Sequence, residues 1–201
     1  VFPLFKRHMS VLQAQSDYLA RLAAQHRLRS LRPRTGRDFS SNDYLGLADS
    51  PRLRDAVARA LERGAPVGSG GSRLLRGNDA EHVALEDEAA RFFGAQSALF
   101  LSTGFAANVA AFATLPQRGD LVIHDALIHA SAHDGMRLGR AQTMAAAHND
   151  ADAFADAAAR WRDGGGRGRV WIAVESLYSM DGDRAPLTDL ASVAARHDGL
   201  L

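Results

Sequence analysis

The stretch ALFLSTGFAANVAAFATLPQRGDLVIHDALIHASAHDGMRLGRAQTMAAAHND, residues 98–150, decides the fold class. Three short apolar runs, Ala98 to Leu101, Leu121 to His124 and Gln142 to Ala145, alternate with segments of helical period, Gly104 to about Leu115 and Ser131 to Leu138. Short apolar runs bounded by turn residues predict buried strands, and the longer periodic segments predict helices. The alternation continues through a helix Ala151–Arg162, a glycine loop Gly164–Gly168, a strand Val170–Val174 and a helix Leu187–His197. Strands alternating with helices of this length predict an α/β domain with a mostly parallel sheet.

Upstream of this stretch the signals are mainly helical. Leu12, Tyr18, Leu19, Leu22 and Leu28 predict an amphipathic helix over residues 10–30, with the lone lysine, Lys6, before it. An arginine-rich linker, Arg27 to Arg37, follows, and then a polar turn, DFSSNDYLGL, over residues 38–47. Pro51–Arg63 reads as a helix closing at Gly64, and Ala80–Phe93 as a helix closing at Gly94. Between them lies the glycine-rich loop VGSGGSRLLRGN, residues 67–78. At the other end, His197-Asp198-Gly199 caps a helix, and Leu200-Leu201 reads as the start of another buried strand. The chain is therefore expected to be the front part of a larger protein, with a domain division at residues 1–37 and 38–201.

With 201 residues, 46% of them apolar and 23% charged, the chain can bury one sizeable core. A formal charge of +1 leaves no electrostatic footprint for nucleic acid or an anionic membrane. The absence of cysteine excludes disulfides, thiol catalysis and thiolate metal sites, and fits a cytoplasmic setting. Val1 to His8 lacks the pattern of a secretory leader. Gly94 to Gln117 carries no charge, yet Ser102-Thr103-Gly104 interrupts it, so strand, turn and helix is preferred to a membrane span.

Four places could carry chemistry. The glycines of Gly68-Ser69-Gly70-Gly71 miss the dinucleotide fingerprint because Arg73 stands where a glycine belongs, and a structural turn reads equally well. Ser102-Thr103-Gly104-Phe105 joins a strand to a helix, where free N–H groups and the helix dipole suit a phosphate, or where the threonine is simply a cap. His124, His129 and His133 lie close together; His129 and His133 have metal-binding spacing but lack the zincin glutamate, which leaves no metal as the better reading and frees His129 to lie against an aromatic ring. Glu175 to Asp183, ESLYSMDGD, follows an apolar strand, as a site at a strand's carboxyl end or as a polar turn.

Taken in order, SSNDYLGL (40–47), GSGGSR (68–73), GFAAN (104–108), IHAS (128–131), HND (148–150) and SMDGD (179–183) resemble the α-oxoamine synthases, most of all the 8-amino-7-oxononanoate synthase branch, over about Arg27 to Leu201. The ordered set is far more specific than any one motif. The resemblance implies the large domain of a three-layer α/β/α pyridoxal-phosphate transferase of fold type I, usually a cytoplasmic homodimer. It implies cofactor binding by Gly104, Phe105, His129 and Ser179, with His129 stacking on the cofactor and also touching substrate. Substrate contacts fall on Asn42 and Arg29, with Arg27 or Arg32 as alternatives to the latter; Glu175 matches a family glutamate of open role.

The implied reaction joins L-alanine to a pimeloyl thioester of coenzyme A or acyl carrier protein, with loss of CO2, in biotin synthesis. The family's pyridine-binding aspartate, its histidine and its Schiff-base lysine are expected after residue 201, so the 201-residue chain alone is expected to lack synthase activity. A 2-amino-3-ketobutyrate ligase-like enzyme, a non-catalytic partner subunit and a plain small-molecule-binding domain are the rival readings.

Overall fold

The structure is a computed structural model that describes residues 4–31, 33 and 35–201, with side chains from residue 12 onward. It forms two compact units, divided after Gly68.

In the first unit, helix α1 spans Leu4–Ala24, six residues earlier at each end than the apolar spacing predicts. Its stop is a backbone event: His26 takes a left-handed φ of 55°, and Arg27 N–H turns back to the Leu22 carbonyl at 2.8 Å. Lys6, expected ahead of the first helix, lies within α1. In the polar turn, Asp43 does the folding work. Its carboxylate accepts from the amides of Leu47 (2.7 Å) and Ala48 (3.0 Å), while its own amide donates to Ser41 Oγ at 3.0 Å. Helix α2, Pro51–Glu62, starts on a proline that needs no hydrogen bond there, and ends as Gly64 adopts a φ of +83°.

The second unit carries helices α3 (Ala80–Phe93), α4 (Gly104–Thr114), α5 (Ala130–Leu138), α6 (Ala151–Asp163) and α7 (Leu187–Arg196), and strands β1 (Leu121–Asp125), β2 (Gln142–Ala146), β3 (Val170–Ala173) and β4 (Gly199–Leu200). The sheet is fully parallel in the order β2-β1-β3-β4. Each β-helix-β connection places a helix on a face of the sheet, and both faces are covered. Leu121, Ile123, Val170 and Ile172 point to one face, where they pack with Phe154, Ala157 and Ala158 of α6 and Leu190, Val193 and Ala194 of α7. Val122 and Ala173 point the other way, onto Ala132 and Met136 of α5 and Phe112 of α4. This is the three-layer α/β/α arrangement, with every residue of β1 buried at its centre. Full burial of a side chain such as Phe154 or Leu190 contributes about 1.5–3 kcal/mol.

One expected strand is missing. Residues 98–101 form no strand, and Leu99 is 72% exposed, because no described segment offers them a ladder partner. Apolar content alone does not make a strand without a neighbour to hydrogen-bond.

Candidate functional site

In a parallel sheet, ligand sites collect where the strands end. At the carboxyl end of β1, the chain runs through Asp125, Ala126, Leu127 and Ile128 into His129, the N-cap of α5. The N-terminus of α4 lies nearby: the rings of Phe105 and His129 meet edge to face with centroids 6.4 Å apart. Thr103 caps α4, its hydroxyl oxygen accepting from Ala106 N–H at 3.0 Å. The first amides of a helix, here Gly104 and Phe105, have no acceptor within it, and a side chain built on Gly104 would meet only open space. Backbone donors, a positive helix end and clear approach are what an anionic phosphate group requires.

His129 is fastened from one side. Its Nδ1 lies 2.7 Å from Ser131 Oγ and accepts from Ser131 N–H at 3.2 Å, while Asn108 of α4 donates its side-chain amide to Ser131 Oγ at 2.9 Å. His133, four residues on, points away: it packs edge to face on His124 at 4.8 Å, and burial followed by the His124 and Arg137 charges lowers its pKa. Among the described residues, no three His, Cys, Asp or Glu side chains gather as a metal site. The second motif region, after β3, leaves Glu175 half-buried and Ser179 exposed in a turn that continues to Asp181. Arg29 and Asn42 are exposed residues of the first unit, and Arg32 lies outside the described residues.

Within the second unit, at the ends of β1 and β2, sits a polar knot whose His148, Asn149 and Asp183 belong to the motifs but had no role from residue type. Asp125, fully buried, accepts from the amides of Leu127 (2.8 Å) and Asn149 (2.9 Å). His148 bridges two carboxylates, with Nδ1 2.8 Å from Asp125 and Nε2 2.8 Å from Asp183, and Asn149 Nδ2 donates to Asp183 at 2.8 Å. Tyr178 presses its ring edge to face on His148, centroids 4.6 Å apart. Hydrogen bonds to Asp125 and then Asp183 raise the His148 pKa and favour the imidazolium. Burial by itself would raise the Asp125 carboxyl, yet the amides and His148 outweigh it and hold the pKa below the usual range. Burial pushes the Tyr178 phenol up to about 12. The knot ties the loop bearing Ser179 to the ends of β1 and β2. A legible signal existed in His148-Asn149-Asp150, since Asn149 holds a left-handed φ of 55° that asparagine tolerates better than most residues.

The chain has relatives among known proteins. The 8-amino-7-oxononanoate synthase of Mycolicibacterium smegmatis is 46% identical over 165 residues, covering 82% of this chain and 42% of that protein. Those of Burkholderia thailandensis (48% identical, 81% and 41% covered) and Emericella nidulans (42% identical, 90% and 45% covered) are similar to it as well. The chain thus spans about two-fifths of the length of these curated relatives. Among solved structures, the serine palmitoyltransferase of Sphingomonas wittichii superposes with a TM-score of 0.73 at 33% identity, over 79% of this chain and 39% of that one. The 8-amino-7-oxononanoate synthase of Francisella tularensis gives 0.61 at 29% identity, over 78% and 42%. The family model described as aminotransferase class I and II matches residues 35–201, which hold the helix-end donors, the histidine-carboxylate knot and the parallel sheet that carries them, and the chain belongs to the aminotransferase class I and II family.

Proposed function

We propose that this chain is the front part of a pyridoxal-phosphate-dependent C-acyltransferase that condenses L-alanine with a pimeloyl thioester, of coenzyme A or of acyl carrier protein, releasing CO2 and forming 8-amino-7-oxononanoate for biotin synthesis. The observation that carries the reading is the corner where the open N-terminus of α4 and the imidazole of His129 meet through Phe105. The identity to curated synthases supports the choice of acyl donor and amino acid over the sister activities. The residues present fit the cofactor: Gly104 and Phe105 supply amide donors for its phosphate, His129 a flat ring, and Ser179 a hydroxyl for its phenolic oxygen. When bound, pyridoxal phosphate supplies an electron sink that weakens the bonds at the amino acid's α-carbon.

The chain's own task is to bind and orient. His129, as a ring with one exchangeable proton in its neutral form, is both a surface for the cofactor and a hydrogen-bonding group for substrate. Arg29 and Asn42 are assigned to the substrate carboxylate on their motif positions alone. Residues 38–201 form part of the cofactor-binding large domain of a cytoplasmic homodimer, preceded by the segment 1–37. No helix among the described residues is long and apolar enough to cross a membrane.

The test is turnover by the full-length protein, supplied with pyridoxal phosphate, L-alanine and either pimeloyl-CoA or pimeloyl-acyl carrier protein, followed by CO2 release and product mass. Formation of 8-amino-7-oxononanoate supports the reading. Turnover only with glycine and acetyl-CoA assigns the ligase-like activity instead, and no turnover with any pair assigns the non-catalytic partner role.

A further inference from the structure

The hydrogen bonds around His129 have a direction. Ser131 N–H points at Nδ1 from 3.2 Å, and a backbone amide can only donate. Nδ1 therefore presents a lone pair, and the proton of the neutral ring is on Nε2. Ser131 Oγ is the second group on that nitrogen, at 2.7 Å, and must also donate its hydrogen there. Asn108 Nδ2 donates to that oxygen at 2.9 Å, which occupies a lone pair and leaves the hydroxyl hydrogen to turn toward Nδ1. Turning the Asn108 amide over would make Ser131 donate to Asn108 and would require a proton on Nδ1. That proton would face the Ser131 N–H, so the backbone amide disfavours the reversed chain, and the Asn108–Ser131 pair adds to that bias. Ser131 is fully buried, which shields its hydroxyl, although its partners Asn108 and His129 are themselves exposed.

The packing of α4 on α5 makes the chain possible. A side chain on Gly135 would bring its Cβ to 2.8 Å from Phe112 Cβ and 3.0 Å from the Asn108 carbonyl oxygen. Only glycine allows α5 to approach α4 closely enough for Asn108 to reach Ser131.

We propose that Asn108 and Ser131 are positioning residues that lock His129 as the Nε2–H tautomer, so that the ring offers one donor, at Nε2, to an oxygen of the substrate. This rests on the reading of His129 as a substrate-contacting group. A group that orients a functional histidine through its other ring nitrogen commonly changes activity by about 10- to 100-fold when removed, as the partners of metal-binding histidines do.

The experiment is two-bond nitrogen–proton correlation on the full-length protein labelled with 15N-histidine, with and without pyridoxal phosphate, His129 being identified by the signal lost in His129→Asn. The expected result is an unprotonated Nδ1 and a protonated Nε2 in the wild type. In Asn108→Asp, nearly equal in shape but only an acceptor when ionised, Ser131 turns its hydrogen away and the Nδ1–H form gains population. The same variant should lose about tenfold or more in kcat with cofactor absorbance retained. A wild-type ring protonated on Nδ1 overturns the proposal, with no variant needed, and so does an Asn108→Asp signal unchanged from wild type. A shifted ring signal with unchanged turnover upholds the locked tautomer and removes His129 from the substrate-contacting role instead.

Discussion

Residues 69–103 and residues 121–201 belong to one unit but reach order by opposite means. In the later stretch helices pack on the sheet, and the five residues of its inner strand β1 are all buried. In the earlier one only Gly77 is buried, α3 has no buried residue, and Phe92 and Phe93 stay 82% and 77% exposed. What fixes the earlier stretch is polar. Arg73 grips Glu86 with two parallel bonds of 2.6 and 2.8 Å and also donates to Asn78, while Glu86 Oε1 accepts from Phe100 N–H at 2.8 Å. One carboxylate thus joins the glycine-rich loop, α3 and the approach to α4. Burial supplies free energy in proportion to area, whereas this clamp supplies orientation and little net stability while partly exposed. The difference predicts that the two regions respond to different perturbations.

The largest effect is expected from Phe154→Ala, which empties the centre of the apolar region: about 3–5 kcal/mol lost in chemical denaturation of the full-length protein. A loss below about 1 kcal/mol would mean that this core does not carry the fold. Gly135→Ala comes next, at about 1–3 kcal/mol, because the new methyl group collides with Phe112 at the α4–α5 contact; a neutral result would show that the helices can part freely.

Smaller and pH-dependent is the His148 knot. A histidine whose folded pKa is raised stabilises fully below its ordinary value near 6.5, and the contribution fades as pH climbs through the folded value. His148→Asn should flatten the fall in melting temperature on the alkaline side of 6.5, and an unaltered pH profile would count against an imidazolium there.

Smallest in global terms is Glu86→Gln. The Arg73 bond and the Phe100 amide hold the Glu86 carboxyl down to about 2, so its contribution is present above its ordinary 4.5 and is lost as pH falls toward 2. The variant should speed hydrogen exchange at the Phe100 amide at neutral pH while the melting temperature barely moves. Equal exchange in both proteins would show that the clamp does not order this segment.

The same contrast explains what could be read from the sequence. Apart from β4, every strand and helix of the apolar region declared itself through local patterning, and Gly64 and Gly94 marked their helix ends, because burial and capping leave local patterns. At β4, Leu200 and Leu201 were expected to be buried and are 41% and 50% exposed. Residues 98–101 misled because their apolar content says nothing about whether a partner strand is present. Helix α1 was misplaced because its stop depends on His26 turning left-handed, a conformation no leucine spacing encodes. Of the candidate site, the family motifs brought Phe105 and His129 to notice, while Asn108, Ser131 and His148 remained motif letters without roles and Asp125 lay outside every motif. Their partners are 23 residues away in the chain, and side-chain pairing across such distances depends on packing.

The uncharged run noted at the outset has a further meaning now that its second half is α4. From Gly94 to Gln117 there is no ionisable side chain, so this segment's own contribution to the field at the front of α4 comes from peptide groups alone. That field is a constant: it neither strengthens nor decays between mildly acid and mildly alkaline solution. An anion seated there would feel an invariant pull, and any pH dependence in its retention would report the anion's own protonation or the side chains outside this helix.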